Sequence, residues 1–278
     1  MSAWFRVLSH WPLWALHGLG AALGWLAFGM SRTYRRHLLA HAALAGVSRR
    51  DALASVAHAG RMVAELPRLW LGRPVPVRWS GMEHIHAAHS QGQGVLFLTP
   101  HLGCFEITAR AYAEEVGAAL GKPMTVLFRP PRQAGLRAVV EASRQRPGLE
   151  TAPTTLAGVK QLVKALRSGA AVGLLPDQVP PMGQGVWVPF FGKDAYTMTL
   201  SSRLARTSHT TVLLAWGERL SWGRGFVVHV QPLGNALPEE PVAACAAINQ
   251  AMEALIRTRP DQYLWGYNRY KGPREGRA

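Results

Sequence analysis

The chain has 278 residues, room for one large α/β domain with a full core, or for two smaller domains with thinner ones. Apolar residues make up 48% and charged residues 17%, which excludes a disordered chain, and thirty-one Lys and Arg against sixteen Asp and Glu leave a formal charge of +15. Such a charge calls for an anionic partner, whether nucleic acid, an acidic bilayer surface, or an acidic protein or substrate, while Cys104 and Cys245 lack any Cys-x-x-Cys or Cys/His spacing and give neither a disulfide framework nor a zinc site.

Residues 11–30, WPLWALHGLGAALGWLAFGM, contain no formal charge. As a helix they would extend about 30 Å, enough to cross a hydrocarbon core. Trp4, Trp11, Trp14 and Trp25 suit a headgroup zone, and Arg32, Arg35 and Arg36 follow the segment against a single Arg6 before it. Residues 1–31 are therefore expected to form a membrane anchor with the rest of the chain on the cytoplasmic side. A spanning helix is the first reading and a helix lying in the inner leaflet the second. A cleaved signal peptide would need the basic flank on the other side.

Residues 32–72 read as a helical connector closed near Pro67, with Leu53, Val56, Gly60, Val63 and Leu66 near helical spacing. From residue 73 to 278 short apolar runs alternate with longer helical segments, the pattern of a single α/β catalytic domain built on a mixed sheet flanked by helices. Strands are expected at 94–99, 124–128, 171–175, 186–190, 211–216 and 226–231. Helices are expected at 106–120, 133–146, 155–167, 199–207 and 242–258.

The feature richest in chemistry is residues 95–106, VLFLTPHLGCFE, an apolar strand ending in a Pro-His turn before a helix. Reacting groups collect at the C-terminal ends of strands in such sheets. Five residues apart on a regular helix, His101 and Glu106 would stand roughly 140° apart, so they meet only if His101 lies in the turn and Glu106 in the first helical turn. A His with a carboxylate supplies a base near neutral pH whose tautomer is fixed and whose imidazolium is stabilised. No Ser, Thr or Cys forms a nucleophile elbow, which leaves a substrate hydroxyl as the nucleophile. Asp177 and Gln178 follow another apolar strand and are candidates for positioning a substrate or a water-bridged network. A metal shared by His101, Glu106 and Asp177 has no HExxH or carboxylate cluster behind it, and none is expected.

Residues 77–106 resemble the first block of the late acyltransferases of lipid A biosynthesis, within the wider His-x4-Asp/Glu glycerolipid acyltransferase superfamily. The likeness continues through Phe128-Arg129-Pro130, Leu174-Leu-Pro-Asp177-Gln178, Val188-Pro-Phe-Phe-Gly192 with Thr197, and Pro260-Asp-Gln-Tyr-Leu-Trp265. It implies a glycerolipid-acyltransferase-like fold and transfer of a fatty acyl chain from a thioester to a hydroxyl of a lipid A precursor. His101 would be the general base and Glu106 its orienting partner. The donor would be acyl carrier protein, or coenzyme A in its place, with no other cofactor. Arg129 would meet the oxyanion or clamp a phosphate, and Phe191 and Gly192, with Thr197, would shape a groove for substrate. The implied partners are acyl carrier protein, the glycolipid precursor and the inner membrane, with the catalytic domain on its cytoplasmic face. These anionic partners account for the charge without nucleic acid, for which no helix-turn-helix, zinc or RNA-binding signature is present. A lysophosphatidate or mannolipid acyltransferase is the alternative within the superfamily, and it would be expected to carry a Phe-Pro-Glu-Gly-Thr-like block that this chain lacks. Departures from the family pattern are Cys104-Phe105, where an Asn and an aromatic residue commonly precede the acid, Pro131-Arg132 after the Arg-Pro pair, and no His after Trp265.

Overall fold

In a computed structural model, residues 3–128 and 146–273 are described. The chain opens with five helices: α1 (Ala3–Ser9), α2 (Leu13–Met30), α3 (Arg32–Leu44), α4 (Arg49–Ala64) and α5 (Leu66–Leu71). Then come β1 (Val77–Ser80), α6 (Met82–Ser90), β2 (Gly94–Leu98), α7 (Phe105–Tyr112), β3 (Met124–Phe128), β4 (Leu149–Pro153) and α8 (Leu156–Arg167). The rest is β5 (Ala171–Leu174), β6 (Gly185–Phe190), β7 (Lys193–Met198), α9 (Leu200–Ala205), β8 (Thr210–Arg219), β9 (Phe226–Pro232) and α10 (Pro241–Thr258).

Seven strands form one sheet in the order β1-β9-β8-β2-β5-β3-β4, parallel except for the antiparallel β8–β9 pair, while β6 and β7 form a separate hairpin. The sheet is mixed and flanked by helices, as the alternation in the sequence implies. β2 is central and wholly buried. Its alternate residues serve two layers: Leu96 and Leu98 join a core with α3, α4, α8 and α10, and Val95 and Phe97 join another with α5, α6 and α7. Each such side chain, fully buried, contributes about 1.5–3 kcal/mol.

The stretch 32–72 is broken into three helices. Ser48 caps α4, its hydroxyl accepting from the Asp51 amide at 3.1 Å, and Leu38, Ala42 and Val56 share a core with the sheet residues Leu96 and Leu98. These helices are walls of the domain. The helix expected at 106–120 begins at Phe105, loosens into a π turn at Ala113–Gly117 and ends at Leu120. Residues 133–145 of the helix expected at 133–146, and the candidate Arg129, lie outside the described residues.

Candidate functional site

β2 and β5 run side by side in parallel, with Leu98 opposite Leu174, so the loops that leave their C-terminal ends emerge together. The first loop carries His101 and the second Asp177 and Gln178. The Thr99 amide makes a last rung to the Leu174 carbonyl at 3.0 Å, and Pro100, without an N–H, turns the chain out of the sheet. Beyond His101 the backbone is tied at every step. The Gly103 amide donates to Gln262 O at 3.0 Å, the Cys104 amide to Gly217 O at 2.8 Å, and the Leu264 amide to His101 O at 3.3 Å. Gly103 has φ +60°, and a Cβ there would stand 2.0 Å from the Gly217 oxygen, so no other residue fits the turn without moving β8.

The Asp177 carboxylate is 2% exposed and accepts two hydrogen bonds from one residue: the His101 backbone N–H donates to Oδ2 at 2.8 Å, and Nδ1 donates to Oδ1 at 2.7 Å. With Nδ1 protonated, Nε2 is left as the acceptor, and the Gln178 amide nitrogen stands 3.0 Å from it. The ring is only partly exposed and lies 4.9 Å, centroid to centroid, from Phe105. Burial alone would raise the Asp177 carboxyl, but the His101 imidazole, its two hydrogen bonds and, further off, Arg269 hold it below the usual carboxylate range.

Spacing points to Glu106 as the ring's partner; in the structure the carboxylate on Nδ1 is Asp177. Glu106 starts α7 on a different line, its Oε2 accepting from Trp70 Nε1 at 3.3 Å, and it lines an open cleft with Leu69, Trp70, Arg110, Arg146 and Leu149. Phe191 and Gly192 are the two central residues of the β6–β7 hairpin, with φ 49° and 75° and Phe190 paired to Lys193. Phe191 is buried against Phe190 and Trp265, whereas Gly192 is exposed. Thr197 is fully buried, its Oγ1 accepting from Arg269 Nη2 at 2.6 Å and Asn249 Nδ2 at 3.0 Å. Phe191 and Thr197 tie the hairpin to α10 and the C-terminal segment, while Gly192 sits free at its turn. Among the described residues, no three His, Cys, Asp or Glu side chains converge on a position that could hold a metal ion.

Three participants carry no local sequence signal. Arg269, 2% exposed, spans Tyr196 O and Thr197 Oγ1 and contributes to the charge around Asp177. Behind the His101 loop, Glu65 and Arg219 form a buried ion pair in which Arg219 Nε donates to Glu65 Oε2 at 2.7 Å. Arg219 Nη2 also donates to Gly103 O at 3.1 Å, and His17 of α2 reaches the same carboxylate at 3.1 Å. Burial would raise the Glu65 carboxyl, but Arg219 overrides it and brings it down to about 2.

The chain matches the family described as bacterial lipid A biosynthesis acyltransferase over residues 3–272. It is similar to the lipid A biosynthesis lauroyltransferase of Escherichia coli K12, 27% identical over 222 residues that cover 78% of this chain and 70% of that protein. It is also similar to the lipid A biosynthesis myristoyltransferase of the same organism, 24% identical over 256 residues, or 88% and 77% of the two chains. A lipid A biosynthesis acyltransferase of Haemophilus influenzae is 25% identical over 185 residues, 66% of this chain and 56% of that protein, less than two thirds of its length.

Proposed function

Because the chain belongs to the bacterial lipid A biosynthesis acyltransferase family, we propose that it moves a fatty acyl chain from an acyl thioester, carried by acyl carrier protein, to a hydroxyl of a lipid A precursor. The observation that carries the reading is the imidazole of His101, held by Asp177 on Nδ1 with Nε2 left to accept a proton, in a chain of this family.

In this mechanism the acceptor hydroxyl takes the place of the Gln178 amide at Nε2. Nε2 removes the hydroxyl proton as the oxygen attacks the thioester carbonyl, and the C–O bond forms. The imidazolium is stabilised by Asp177, which keeps the ring oriented throughout. When the C–S bond breaks, the proton passes from Nε2 to the departing sulfur, so the ring ends as it began. Glu106, on the cleft wall in the first turn of α7, aligns the acceptor. Arg129 is the proposed donor to the oxyanion or to a precursor phosphate. On this reading the acceptor is a membrane lipid, and the enzyme works at the inner membrane with its catalytic domain on the cytoplasmic face. An anionic precursor, an acidic carrier protein and an anionic leaflet all suit the charge of +15.

The test is transfer in vitro by the full-length protein, with acyl carrier protein thioester and lipid A precursor, followed by mass spectrometry of the product and by thiol release. The product should gain one acyl mass, and His101→Ala should reduce transfer to background while its thermal unfolding stays that of the parent. Substantial turnover by His101→Ala would require another base.

A further inference from the structure

Gln178 stands on the atom that the proposed reaction has to clear. Its amide nitrogen lies 3.0 Å from His101 Nε2, and because the Nδ1 proton is committed to Asp177, Nε2 accepts and the amide donates. Among the described residues this is the single hydrogen bond of the Gln178 side chain, and the residue is partly exposed, as is the ring it meets. The backbone is held on both sides: Asp177 takes two bonds from His101, and the Val179 amide donates to the Tyr267 hydroxyl at 3.0 Å. A side chain pinned at its root and bonded at its tip alone can turn about its own torsions without disturbing the loop. Gln262, also beside the His101 loop, is built differently. It is 4% exposed, its Oε1 accepting from the Arg219 amide at 2.9 Å and its Nε2 donating to the Arg219 carbonyl at 3.0 Å, so both ends of its amide are spent on the backbone of β8.

An acceptor hydroxyl bound at Nε2 displaces the Gln178 amide. The oxygen that then takes up negative charge is two bonds from the attacking oxygen, so the charge develops beside the place the amide has left. An amide N–H suits both stations. At rest it donates to a neutral nitrogen, a bond between uncharged partners, whereas on an oxyanion the same donor makes a charge-assisted bond about twice as strong. A donor that gains strength only as charge develops lowers the barrier without tightening the ground state. The amide also has no proton equilibrium of its own. A carboxylate in its place would hold the imidazole protonated and unable to act as a base, and an ammonium would oppose the imidazolium that has to form.

We propose that Gln178 is a catalytic residue of the acyl transfer: its amide covers Nε2 in the resting enzyme, yields that place to the acceptor hydroxyl, and donates to the thioester carbonyl oxygen as the tetrahedral intermediate forms. The inference rests on the acyltransferase reading. As the C–O bond forms, the carbonyl π pair moves onto oxygen, where the Gln178 N–H meets it, and the hydroxyl proton goes to Nε2. As the C–S bond breaks, the pair returns to the carbonyl, the proton passes to sulfur and the amide goes back to Nε2.

The test is steady-state transfer by the full-length protein and by its Gln178→Ala and Gln178→Glu variants, with acyl carrier protein thioester and lipid A precursor varied in turn. Both variants should lose about 10²–10³-fold in kcat, with either KM changed by less than about threefold. Gln178→Asn, which keeps the amide one methylene short, should recover part of the loss. A kcat for Gln178→Ala within about twofold of the parent, or above it, would leave the amide as a cover of the base alone, and a loss confined to the acceptor KM would make it a contact to ground-state substrate. Either result overturns the proposal. Thermal unfolding of Gln178→Ala should match the parent, and the low-field proton resonance of the bond between His101 Nδ1 and Asp177 should persist in its NMR spectrum. Loss of that resonance would show the ring displaced, and Gln178 would be a positioning residue, against the proposal. Absence of transfer by the parent removes the acyltransferase reading and this role together, whereas transfer that survives in Gln178→Ala and is lost in His101→Ala removes only the role of Gln178.

Discussion

Asp177 accepts two N–H groups from the same residue, and each of its oxygens has one to satisfy. An amide in its place can accept only one of them and sets its own NH2 against the other, so the ring either turns or takes the tautomer with its proton on Nε2, where it cannot serve as a base. Asp177→Asn is therefore expected to lower kcat by about 10³–10⁴-fold with a small change in KM and a fold that remains intact. Glu106→Gln should be milder and act mainly on KM for the acceptor, since Glu106 is bonded to Trp70 on the cleft wall. Steady-state kinetics of the two variants decide the matter: the reverse order would return the orienting role to Glu106. The sequence marks His101, Asp177 and Gln178 singly, each at the end of an apolar strand. It hides their meeting, because His101 and Asp177 are 76 residues apart and join only through the parallel register of β2 and β5. Nearness in sequence favours Glu106 for the same reason.

Two turns show how far a local motif reveals an element. At Gly192 the backbone is left-handed, but no atom lies within 4 Å of where a Cβ would be, so Gly192→Ala adds only conformational strain, about 1 kcal/mol. At Gly103 the same strain comes with a contact at 2.0 Å to Gly217 O, in the loop that presents His101. Gly192→Ala should lower Tm slightly and leave kcat within about twofold, whereas Gly103→Ala should cut kcat by about tenfold or more even where the protein still folds. Thermal unfolding and transfer assays on the pair check this, and equal effects on activity would mean the loop tolerates displacement. The six expected strands are legible from sequence because each is a short apolar run, whether wholly buried like β2 or alternately buried like β9. β1, β4 and β7 are not, being short, edge-placed or polar, and β7 reads KDAYTM. Without β7 the Phe-Phe-Gly motif cannot be placed in the chain's architecture, and its pairing with β6 displays it as a hairpin turn. Likewise the helical run 32–72 conceals its breaks at Gly46 and Glu65, and with them the burial of α3 and α4 in the core.

Across the whole molecule, the Glu65–Arg219 pair ties α2, α4, the sheet and the His101 loop into one buried unit, and His58 sits at its edge. Arg219 Nη1 is 3.1 Å from His58 Nδ1 and Arg61 Nη1 is 3.2 Å from Nε2, with the Asp261 carboxylate at 3.8 Å as an opposing charge. Burial, then the charges of Arg219 and Arg61, push the His58 imidazole down to about 3. In the unfolded chain it takes a proton near 6.5, so between those values the unfolded state binds more protons and stability falls as pH falls. Glu65, held at about 2 against 4.5 unfolded, acts in the same direction lower down: its contribution is full above 4.5 and is lost toward 2. His89, pushed down to about 4 by burial and Lys122, adds to the upper window. Thermal unfolding should therefore show Tm dropping steadily below pH 6.5. Each proton contributes at most about 1.4 kcal/mol per pH unit, or about 2–5 °C. His58→Gln keeps a hydrogen-bonding side chain without the titration, and its slope between pH 6.5 and 4.5 should be shallower by about one proton, with the His89 share remaining. An unchanged slope would mean that His58 takes up its proton in the folded protein, which would require Arg61 or Arg219 to have moved away and the loop bonded to Arg219 to have loosened with it.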